Sequence, residues 1–342
     1  MKDLLSLLDK VQEGVEVERE EKVLIIDGLN LFFRNFSAIH TINPDGAHIG
    51  GLGGFLNSLG RMMVNIKPTQ VYVFFDGAES TNRKKRILPG YKKGRGTRKI
   101  TNKFIFKSAD EEHDAKLKQL QRLIEYLKFL PVKTAIINGI EADDAISYVA
   151  QKLKHKCVIV SSDKDFLQVV SDKVTVYRPI EKVYYTPKVV MEKYGILPEN
   201  FLIHKTLTGD KSDNVEGVKG LGPKSVTKLF PELRDTITDI DKLIELCAER
   251  LQQKPLYAKI ILTEGELRKQ HKVMDLANPM IHKSHEDHLD AIIAEDFPEI
   301  NEEIVCSFAE KDYIESILRD TKKWLLNFNK LGYGKITRRV RD

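Results

Sequence analysis

Nine acidic residues of this 342-residue chain are spaced so that they could act together on metal ions. Asp27 and Asp76 each end a run of apolar residues, and each is followed by a glycine. The others occur in short groups, Glu-Ala-Asp-Asp at 141–144, Asp-Lys-Asp at 163–165 and Asp-Lys-Ser-Asp at 210–213. Five separate segments therefore supply the set, which comprises Asp27, Asp76, Glu141, Asp143, Asp144, Asp163, Asp165, Asp210 and Asp213.

A convergence of these carboxylates would form a site for hard divalent cations. Like charges 4 Å apart repel by about 4 kcal/mol even at an effective dielectric constant of 20, so converging carboxylates need cations. Oxygen ligands without cysteine or histidine favour Mg²⁺ or Mn²⁺ over zinc. Two such ions about 3.5–4 Å apart activate water and stabilise the leaving oxygen in phosphodiester hydrolysis. We therefore expect two Mg²⁺ ions, for which Mn²⁺ would substitute.

Helix capping is the alternative role for any one of these residues. An Asp at a strand end often caps the following helix, and acidic residues are favoured in the first helical turn. Capping does not require a carboxylate after every strand at one edge of a sheet. The full pattern therefore favours metal binding, and Asp144 and Asp210 are the members most easily explained by capping or by an outer-sphere role.

Short apolar strands separated by helices are the elements that must bring these segments together. Continuous apolar runs predict strands that are buried on both faces. Their alternation with helices predicts an α/β fold, with a mostly parallel central sheet and helices on both faces. The carboxyl ends of such strands face a common crevice. Strands are predicted at 23–27, 71–76, 135–138, 157–162 and 174–177, and helices at 54–66, 110–129 and 142–153.

The alternation stops near residue 185, which divides the predicted organisation into three parts. Residues 1–20 would be an N-terminal peptide, residues 21–185 the α/β core, and residues 186–342 a mainly helical region. Proline and glycine separate the helices predicted in that last region, at 187–194, 200–208, 223–230, 238–252 and 255–270.

A basic insert, residues 81–103, interrupts the core. It has ten basic residues and no acidic one, whereas the whole chain has a net charge of +5, so the remainder is net acidic. Its charge, glycines and proline predict no packed core element, and a solvated loop without function is the alternative. Over an acidic crevice such a segment would attract a phosphodiester backbone. Tyr91, Phe104 and Phe106 would stack on unpaired bases.

Residues 217–225, Gly-Val-Lys-Gly-Leu-Gly-Pro-Lys-Ser, are a second candidate contact to a phosphate backbone. The run is not a Walker A loop, because Pro223 stands where lysine should follow glycine and no strand precedes it. A hairpin between two helices whose amides bind a DNA phosphate fits better, and a plain helix–helix turn is the alternative. The residues expected to contact DNA here are Lys219, Gly220, Gly222, Lys224 and Ser225.

Six segments carry a resemblance to known proteins. They are, in chain order, VLIIDGLNLFFR, FFDG, YKKGR, EADDAISYVA, VIVSSDKDF and GDKSDNVEGVKGLGPKS. Over roughly residues 22–230 this pattern resembles the 5′-nuclease, or flap endonuclease, superfamily. The segment LTEGELRKQHKVMDL is further similar to the ribonuclease H type of T-even phages, which indicates a phage or bacterial replication origin. The resemblance implies a 5′→3′ exonuclease and structure-specific flap endonuclease that removes RNA primers and adjacent DNA.

The resemblance also implies roles for the residues. In an arch of about residues 81–110, Lys92 and Arg95 would contact the scissile phosphate, acting in catalysis with Asp163 and Asp165. The helix–hairpin–helix-type element at 217–225 would bind duplex DNA, with K⁺ held at 217–222. The first metal ion would be held by Asp27, Asp76, Glu141 and Asp143 and the second by Asp163, Asp165 and Asp213, with Asp144 and Asp210 in the outer sphere. The arch residues that bind DNA would be Arg83, Lys84, Arg86, Tyr91, Lys92, Lys93 and Arg95.

DNA and RNA–DNA hybrids with 5′ flaps or nicks are the implied partners. In phage relatives an N-terminal peptide docks on the sliding clamp, and the C-terminal region contacts single-strand DNA-binding protein. Leu4–Leu8 would be that peptide here, and a frayed amphipathic start is the alternative.

Composition restricts the remaining possibilities. With 42% hydrophobic and 31% charged residues the chain is of the globular class, and it has no run of about 18 apolar residues, so no membrane span is expected. Three separated cysteines without a CxxC pair predict neither a disulfide framework nor a cysteine zinc site and fit the cytoplasm. We expect a monomer. The alternatives are a PIN-like single-strand ribonuclease, typically shorter and without the hairpin, and a non-catalytic DNA-binding scaffold, which would lack carboxylates.

Overall fold

The computed structural model describes residues 21–94, 100–329 and 331. Its centre is a six-stranded sheet that contains β1 (Lys22–Asp27), β2 (Gln70–Asp76), β3 (Lys133–Ile137), β4 (Lys156–Val160), β5 (Val174–Arg178) and β6 (Val183–Tyr185). The strand order is β3-β2-β1-β4-β5-β6. Strands β1 to β5 are parallel and β6 is antiparallel to β5, so the predicted mostly parallel sheet is confirmed. The short edge strand β6 was not predicted.

Each face of the sheet packs into its own hydrophobic core, which explains the continuous apolar strands. Val23 and Ile25 of β1 lie in one core, whereas Leu24 and Ile26 lie in the other, and all four are fully buried. Successive side chains of a strand point to opposite faces, so a strand covered on both sides must be apolar throughout. The helices between the strands are α1 (Gly28–Ala38), α2 (Gly50–Ile66), α3 (Asn82–Ile87), α4 (Ala109–Leu127) and α5 (Ala142–Lys152).

The chain after β6 is helical, apart from a two-stranded ribbon of β7 (Gly209–Asp210) and β8 (Val215–Glu216). The prediction of a single helix at 255–270 is wrong, because the structure has two helices that are separated at Thr263. The Thr263 hydroxyl donates to the carbonyls of Lys259 and Ile260 (2.9 and 3.2 Å), a local bond that competes with helix continuation. The helices are α6 (Pro187–Tyr194), α7 (Phe201–Thr208), α8 (Pro223–Leu229), α9 (Ile240–Glu249), α10 (Pro255–Leu262), α11 (Glu264–Met274), α12 (Lys283–Ala294), α13 (Glu302–Lys311), α14 (Glu315–Leu318) and α15 (Thr321–Leu325).

The last described helices return to the α/β core. Trp324 and Phe328 pack in the same hydrophobic core as α2, and the Trp324 indole N–H donates to the Leu56 carbonyl (3.0 Å). A Cβ at Gly60 would lie 2.3 Å from the Trp324 Nε1 atom, so glycine is needed for this close approach. The C-terminal helices therefore stabilise the layer of helices behind the sheet. Among the described residues, no helix has the length and apolar character needed to cross a bilayer.

We predict that Trp324→Ala lowers the free energy of unfolding by about 3–5 kcal/mol, because it removes a large side chain from a packed core. Urea denaturation followed by circular dichroism measures this. Leu262→Ala is the matched control, because Leu262 is 84% exposed and its truncation should change stability by less than about 0.5 kcal/mol. A loss of less than about 1 kcal/mol in Trp324→Ala would contradict the packing role.

Candidate nuclease active site

Two strand ends place the first carboxylates at the carboxyl edge of the sheet. Asp27 ends β1 and caps α1, accepting hydrogen bonds from the Asn30 backbone N–H (3.1 Å) and the Ser161 hydroxyl (2.9 Å). Asp76 ends β2 and accepts from the Ala142 N–H (2.7 Å), at the start of α5. Both residues therefore make the helix-terminal contacts that were the alternative to metal binding. These contacts fix the carboxylates at one edge and leave further oxygen lone pairs.

Asp27, Asp143 and Asp163 influence one another electrostatically. Burial raises the pKa of Asp27 to about 7, and the charges of Asp163 and Asp76 add to the increase. Burial, followed by the charges of Asp27 and Asp163, raises the pKa of Asp143 well above its ordinary value of 3.8. The crevice thus resists full ionisation without cations. A bound divalent cation would reverse this pKa shift, because it favours the charged form of each carboxylate.

A second group lies on the helical side of the crevice. The nearest carboxylate oxygens of Asp165, Asp210 and Asp213 lie within 4.8 Å of one another. Lys205 of α7 forms ion pairs with Asp165 and, at 2.6 Å, with Asp210. Burial acts to raise the pKa of Asp210, but the Lys205 ammonium outweighs it and holds this pKa at about 2. Asp210 thus lies beside Asp165 and Asp213, whereas the charge of Asp163 acts on Asp27 and Asp143.

Glu141 is the most heavily partnered of the predicted ligands. It is 1% exposed, and it accepts hydrogen bonds from Lys84 (2.7 Å), from the Tyr91 hydroxyl (2.9 Å) and from Lys92. Burial acts to raise its pKa, but the two ammonium groups lower it to about 2. Lys84 also pairs with Asp144 (3.0 Å). Glu141 therefore stays charged and joins the basic insert to the carboxylates.

The expectation that the basic insert contains no packed element is wrong. Its residues 82–87 form α3, and the Lys84 and Tyr91 side chains are each 3% exposed. Phe106, just beyond the insert, is also buried, and its ring stacks on Phe36, whereas Phe104 is 85% exposed. The sequence predicted Lys84 as a DNA contact and Tyr91 and Phe106 as base-stacking residues. The structure places all three in the interior. Lys84 and Tyr91 are buried because the buried Glu141 needs charged and hydrogen-bonding partners.

The other predicted contacts of the insert are distributed over its surface. Arg86 and Lys93 are exposed, and Arg83 and Lys92 are half-buried. Arg95 lies outside the described residues, as does the predicted clamp peptide Leu4–Leu8.

The insert docks on the loop that carries Asp213. The Lys92 backbone N–H donates to the Asp213 carbonyl (2.7 Å), and the Asn214 side-chain amide donates to the Gly90 carbonyl (2.8 Å). Asn214 has a φ of 56°, a left-handed conformation that asparagine tolerates better than most residues. The basic insert is thus fixed to both groups of carboxylates, through Glu141 and through residues 213–214.

The glycine-rich hairpin follows the β7–β8 ribbon and precedes α8. A Cβ at Gly217 would lie 2.2 Å from the Thr208 carbonyl carbon, so this glycine permits close backbone packing. Gly220 has a φ of +97°, and Gly222 precedes α8 with open space around its Cβ position. Lys219 and Lys224 are exposed, and Ser225 is half-buried. The hairpin therefore presents lysines and a helix start to solvent.

Four contributors to the site were not predicted. Ser161 and Asn30 orient the Asp27 and Asp163 segments: the Ser161 hydroxyl accepts from the Asp163 N–H (3.0 Å) and the Asn30 side chain accepts from the Ser162 N–H (2.9 Å). Lys205 and Asn214 are the other two. Lys205 could have been noticed, because it is a cation within the largely apolar run Phe201–Leu207, five residues before Asp210. The contact of Asn214 with Gly90 joins residues 124 positions apart and left no sequence signal.

Comparison with known proteins assigns this site to a family. A family model described as the 5′-3′ exonuclease N-terminal resolvase-like domain matches residues 22–195. The chain is 31% identical to the 5′-3′ exonuclease of Buchnera aphidicola subsp. Acyrthosiphon pisum over 236 residues, which cover 67% of this chain and 77% of that protein. The chain belongs to the 5′-3′ exonuclease family. It is therefore a nuclease, as the sequence predicted. The alternative hypothesis of a non-catalytic DNA-binding scaffold is wrong.

The relatives of this 5′-3′ exonuclease family member include larger and more distant proteins. DNA polymerase I of Bacillus subtilis is 31% identical over 242 residues, 68% of this chain and 26% of the polymerase. The bacteriophage T5 flap endonuclease, solved with DNA and metal ions, has the same fold, with a TM-score of 0.60 at 20% identity, covering 88% of this chain and all of that one. Human GEN1, solved with Holliday junction DNA, has a TM-score of 0.58 at 12% identity, covering 89% of this chain and 71% of that one.

The raised pKa of Asp27 predicts a pH-dependent stability of the metal-free nuclease. A carboxyl whose folded-state pKa of about 7 exceeds its ordinary value of 3.8 stabilises the fold at low pH, and this contribution is lost as the pH rises through about 7. In EDTA, the free energy of unfolding of the wild type should therefore fall more steeply between about pH 5 and about pH 7 than that of Asp27→Asn. Urea titrations at several pH values measure the two slopes. Equal slopes would show that Asp27 does not titrate in this range.

Removal of the Asn214 side chain should loosen the docking of the basic insert. Asn214→Gly keeps the left-handed backbone accessible and deletes the hydrogen bond to Gly90. We expect trypsin to cleave between residues 84 and 93 several-fold faster in this variant, because local opening becomes easier. Lys67→Gly is the matched control, since Lys67 also has a positive φ (54°) but lies at the C-cap of α2, outside the basic insert. Unchanged cleavage in Asn214→Gly, with sites mapped by mass spectrometry, would disprove the docking role.

Proposed function

We propose that this chain is a divalent-metal-dependent 5′→3′ exonuclease and structure-specific flap endonuclease that hydrolyses phosphodiesters near 5′ ends. The substrates would be DNA and RNA–DNA hybrids with 5′ flaps or nicks, so that RNA primers and adjacent DNA are removed during replication. The observation that carries the proposal is the convergence of carboxylates at the sheet edge, with the base of the basic insert hydrogen-bonded to them through Glu141.

Metal ions of the Mg²⁺ or Mn²⁺ type fit the residues present. The donors are carboxylate oxygens, and the buried lysines beside them, Lys84, Lys92 and Lys205, are fewer than the acidic residues. Asp144 Oδ1 is buried without a hydrogen-bond partner in the described structure. We propose that Asp27, Asp143 and Asp163, with Asp76 and Glu141, hold one Mg²⁺ and that Asp165, Asp210 and Asp213 hold the second. Bound ions would lower the pKa of a water and polarise the phosphodiester.

The chain's own cations would position the phosphodiester. Lys92 is half-buried, its ammonium contacts Glu141 and its backbone N–H donates to the Asp213 carbonyl, so this ammonium would contact a phosphate bound beside the carboxylates. Arg95, which the resemblance assigns to the same phosphate, would act with it. Arg83, Arg86 and Lys93 would contact the backbone of the strand more distantly.

The hairpin at 217–225 would bind the duplex part of the substrate. Support comes from the exposed Lys219 and Lys224 and from the open space at Gly222, which would let a phosphate approach the start of α8. A K⁺ ion held by carbonyls at 217–222 would assist. The Rad2 catalytic core, whose structures contain DNA substrate, has the same fold, with a TM-score of 0.51 at 14% identity.

Further partners belong to the same proposal. An N-terminal peptide that includes Leu4–Leu8 would dock on a sliding clamp, and the C-terminal region would contact single-strand DNA-binding protein. The chain would act as a monomer in the cytoplasm, or in the host cytoplasm if it is phage-encoded.

Asp163→Asn should abolish cleavage while leaving DNA binding nearly intact. Removal of a carboxylate from a metal site that supplies several kcal/mol of transition-state stabilisation should slow cleavage by roughly a hundredfold or more. The assay compares 5′-labelled flap, nicked and blunt substrates with Mg²⁺ and with EDTA, and binding is measured by fluorescence anisotropy. Asp114→Asn, on the exposed surface of α4, is the matched control. Full activity of Asp163→Asn, cleavage in EDTA, or indifference to the 5′ end would contradict the proposal.

A further inference from the structure

A basic groove lies along the β5–β6 edge of the sheet, outside the carboxylate crevice. It consists of two adjoining cavities of about 400 Å³ and about 200 Å³, which share Asn65 and Tyr184 in their walls. We call it the edge groove. The cations that line it are Lys22, Lys156 and Lys173 in the larger cavity and Arg34, Arg61 and Lys182 in the smaller.

Four of the six cations that line the edge groove have no acidic partner in the described part of the chain. Asp172 is the one acidic residue among the described residues that line it. Within the described part of the chain, Lys22, Arg34, Arg61 and Lys182 have no carboxylate close enough for an ion pair, whereas the buried lysines of the active site are all paired. A cluster of cations that outnumbers the nearby acidic groups attracts a polyanion and releases its counterions on binding.

An aromatic platform lies in the wall of the groove. Tyr177 of β5 and Tyr184 of β6 are cross-strand partners, with ring centroids 4.5 Å apart and ring planes 31° apart. Tyr184 is 42% exposed although its ring is held against Tyr177. Exposed rings next to a cluster of cations are the combination that binds single-stranded nucleic acid, in which bases stack and the backbone contacts cations. A duplex, whose bases are stacked inside, would not use the rings.

The smaller cavity approaches the loop that carries Asp163, because its wall residue Pro179 directly follows Arg178. The Arg178 guanidinium at the end of β5 donates to the Ser162 carbonyl (2.7 Å), and Arg34 donates to the Pro179 carbonyl (3.4 Å). From there the groove follows β5 back toward Lys173 and Lys156, a length of roughly 16 Å at 3.3 Å per strand residue. The smaller cavity is therefore the end of the groove through which a strand from the crevice would enter.

We propose that the edge groove binds the single-stranded 5′ segment of a flap substrate. The proposal rests on the proposed function, since it supplies the path that a displaced 5′ strand takes away from the active site. Contacts to this strand would strengthen the binding of long flaps and would contribute little to the binding of a one-nucleotide flap. The groove thus makes the enzyme sensitive to flap length.

Charge reversal in the groove tests the proposal. In the double variant Arg61→Glu/Lys182→Glu, the ratio of KM for a long single-stranded flap to KM for a one-nucleotide flap should rise roughly tenfold, as expected for two lost contacts to phosphate. The slope of log KM against log salt for the long flap should fall by roughly 1.4, at about 0.7 per phosphate of a single strand. Lys128→Glu/Lys322→Glu gives the same change in net charge at exposed residues outside the groove and should leave the ratio and the slope unaltered.

A second measurement does not depend on the stability of that variant. A long flap carrying 5-iodouracil, bound to the wild-type enzyme in Ca²⁺ and irradiated, should crosslink to Tyr184, as read by mass spectrometry. The proposal would be overturned by crosslinks confined to the basic insert and the hairpin, or by an unaltered KM ratio in the groove variant. Both results are expected if the groove binds an acidic protein instead. Loss of the groove effect while cleavage still requires Asp163 would leave the proposed function standing, so the two can fail separately.

Discussion

Electrostatic repulsion among carboxylates at the carboxyl edge of the sheet is the constraint on which the rest of the structure depends. The parallel strands bring Asp27 and Asp76 to one edge, and α5 and the loop after β4 add Asp143 and Asp163. Burial and mutual repulsion raise the pKa values of Asp27 and Asp143, so full ionisation of the crevice carries a free-energy cost that the fold itself does not offset. Divalent cations remove this cost and supply the chemistry of phosphodiester hydrolysis.

Three buried lysines relieve part of the repulsion, and their placement connects the site to its surroundings. Lys205 holds Asp165 and Asp210 together across the helical region, whereas Lys84 and Lys92 tie Glu141 to the basic insert. The insert is thus anchored by the same carboxylate that faces the metal crevice. A change in the charge of Glu141 would therefore be felt both by a bound cation and by the segment expected to guide the substrate.

The sequence predicted the sheet, the position of Asp27 and Asp76 at strand ends and the family, because these follow from local patterns. Continuous apolar strands such as Val23–Ile26 and motifs such as Asp27-Gly28 are visible without tertiary information. The burial of Lys84 and Tyr91 was not visible, because it depends on Glu141, which lies 57 and 50 positions away in the chain. Charge runs usually mark solvated segments, and here the demand of a buried carboxylate for cations prevails over that tendency. The break at Thr263 was missed as well, since it depends on hydrogen bonds that form only in the folded chain.

The central claim is that the converging carboxylates bind divalent cations as a pair. Electron paramagnetic resonance titration of the wild-type protein with Mn²⁺ at neutral pH counts the bound ions directly, because free Mn²⁺ gives the sharp signal that binding removes. The structure predicts saturable binding of two Mn²⁺ ions per chain that Mg²⁺ displaces competitively. Absence of saturable Mn²⁺ binding by the folded protein would contradict it.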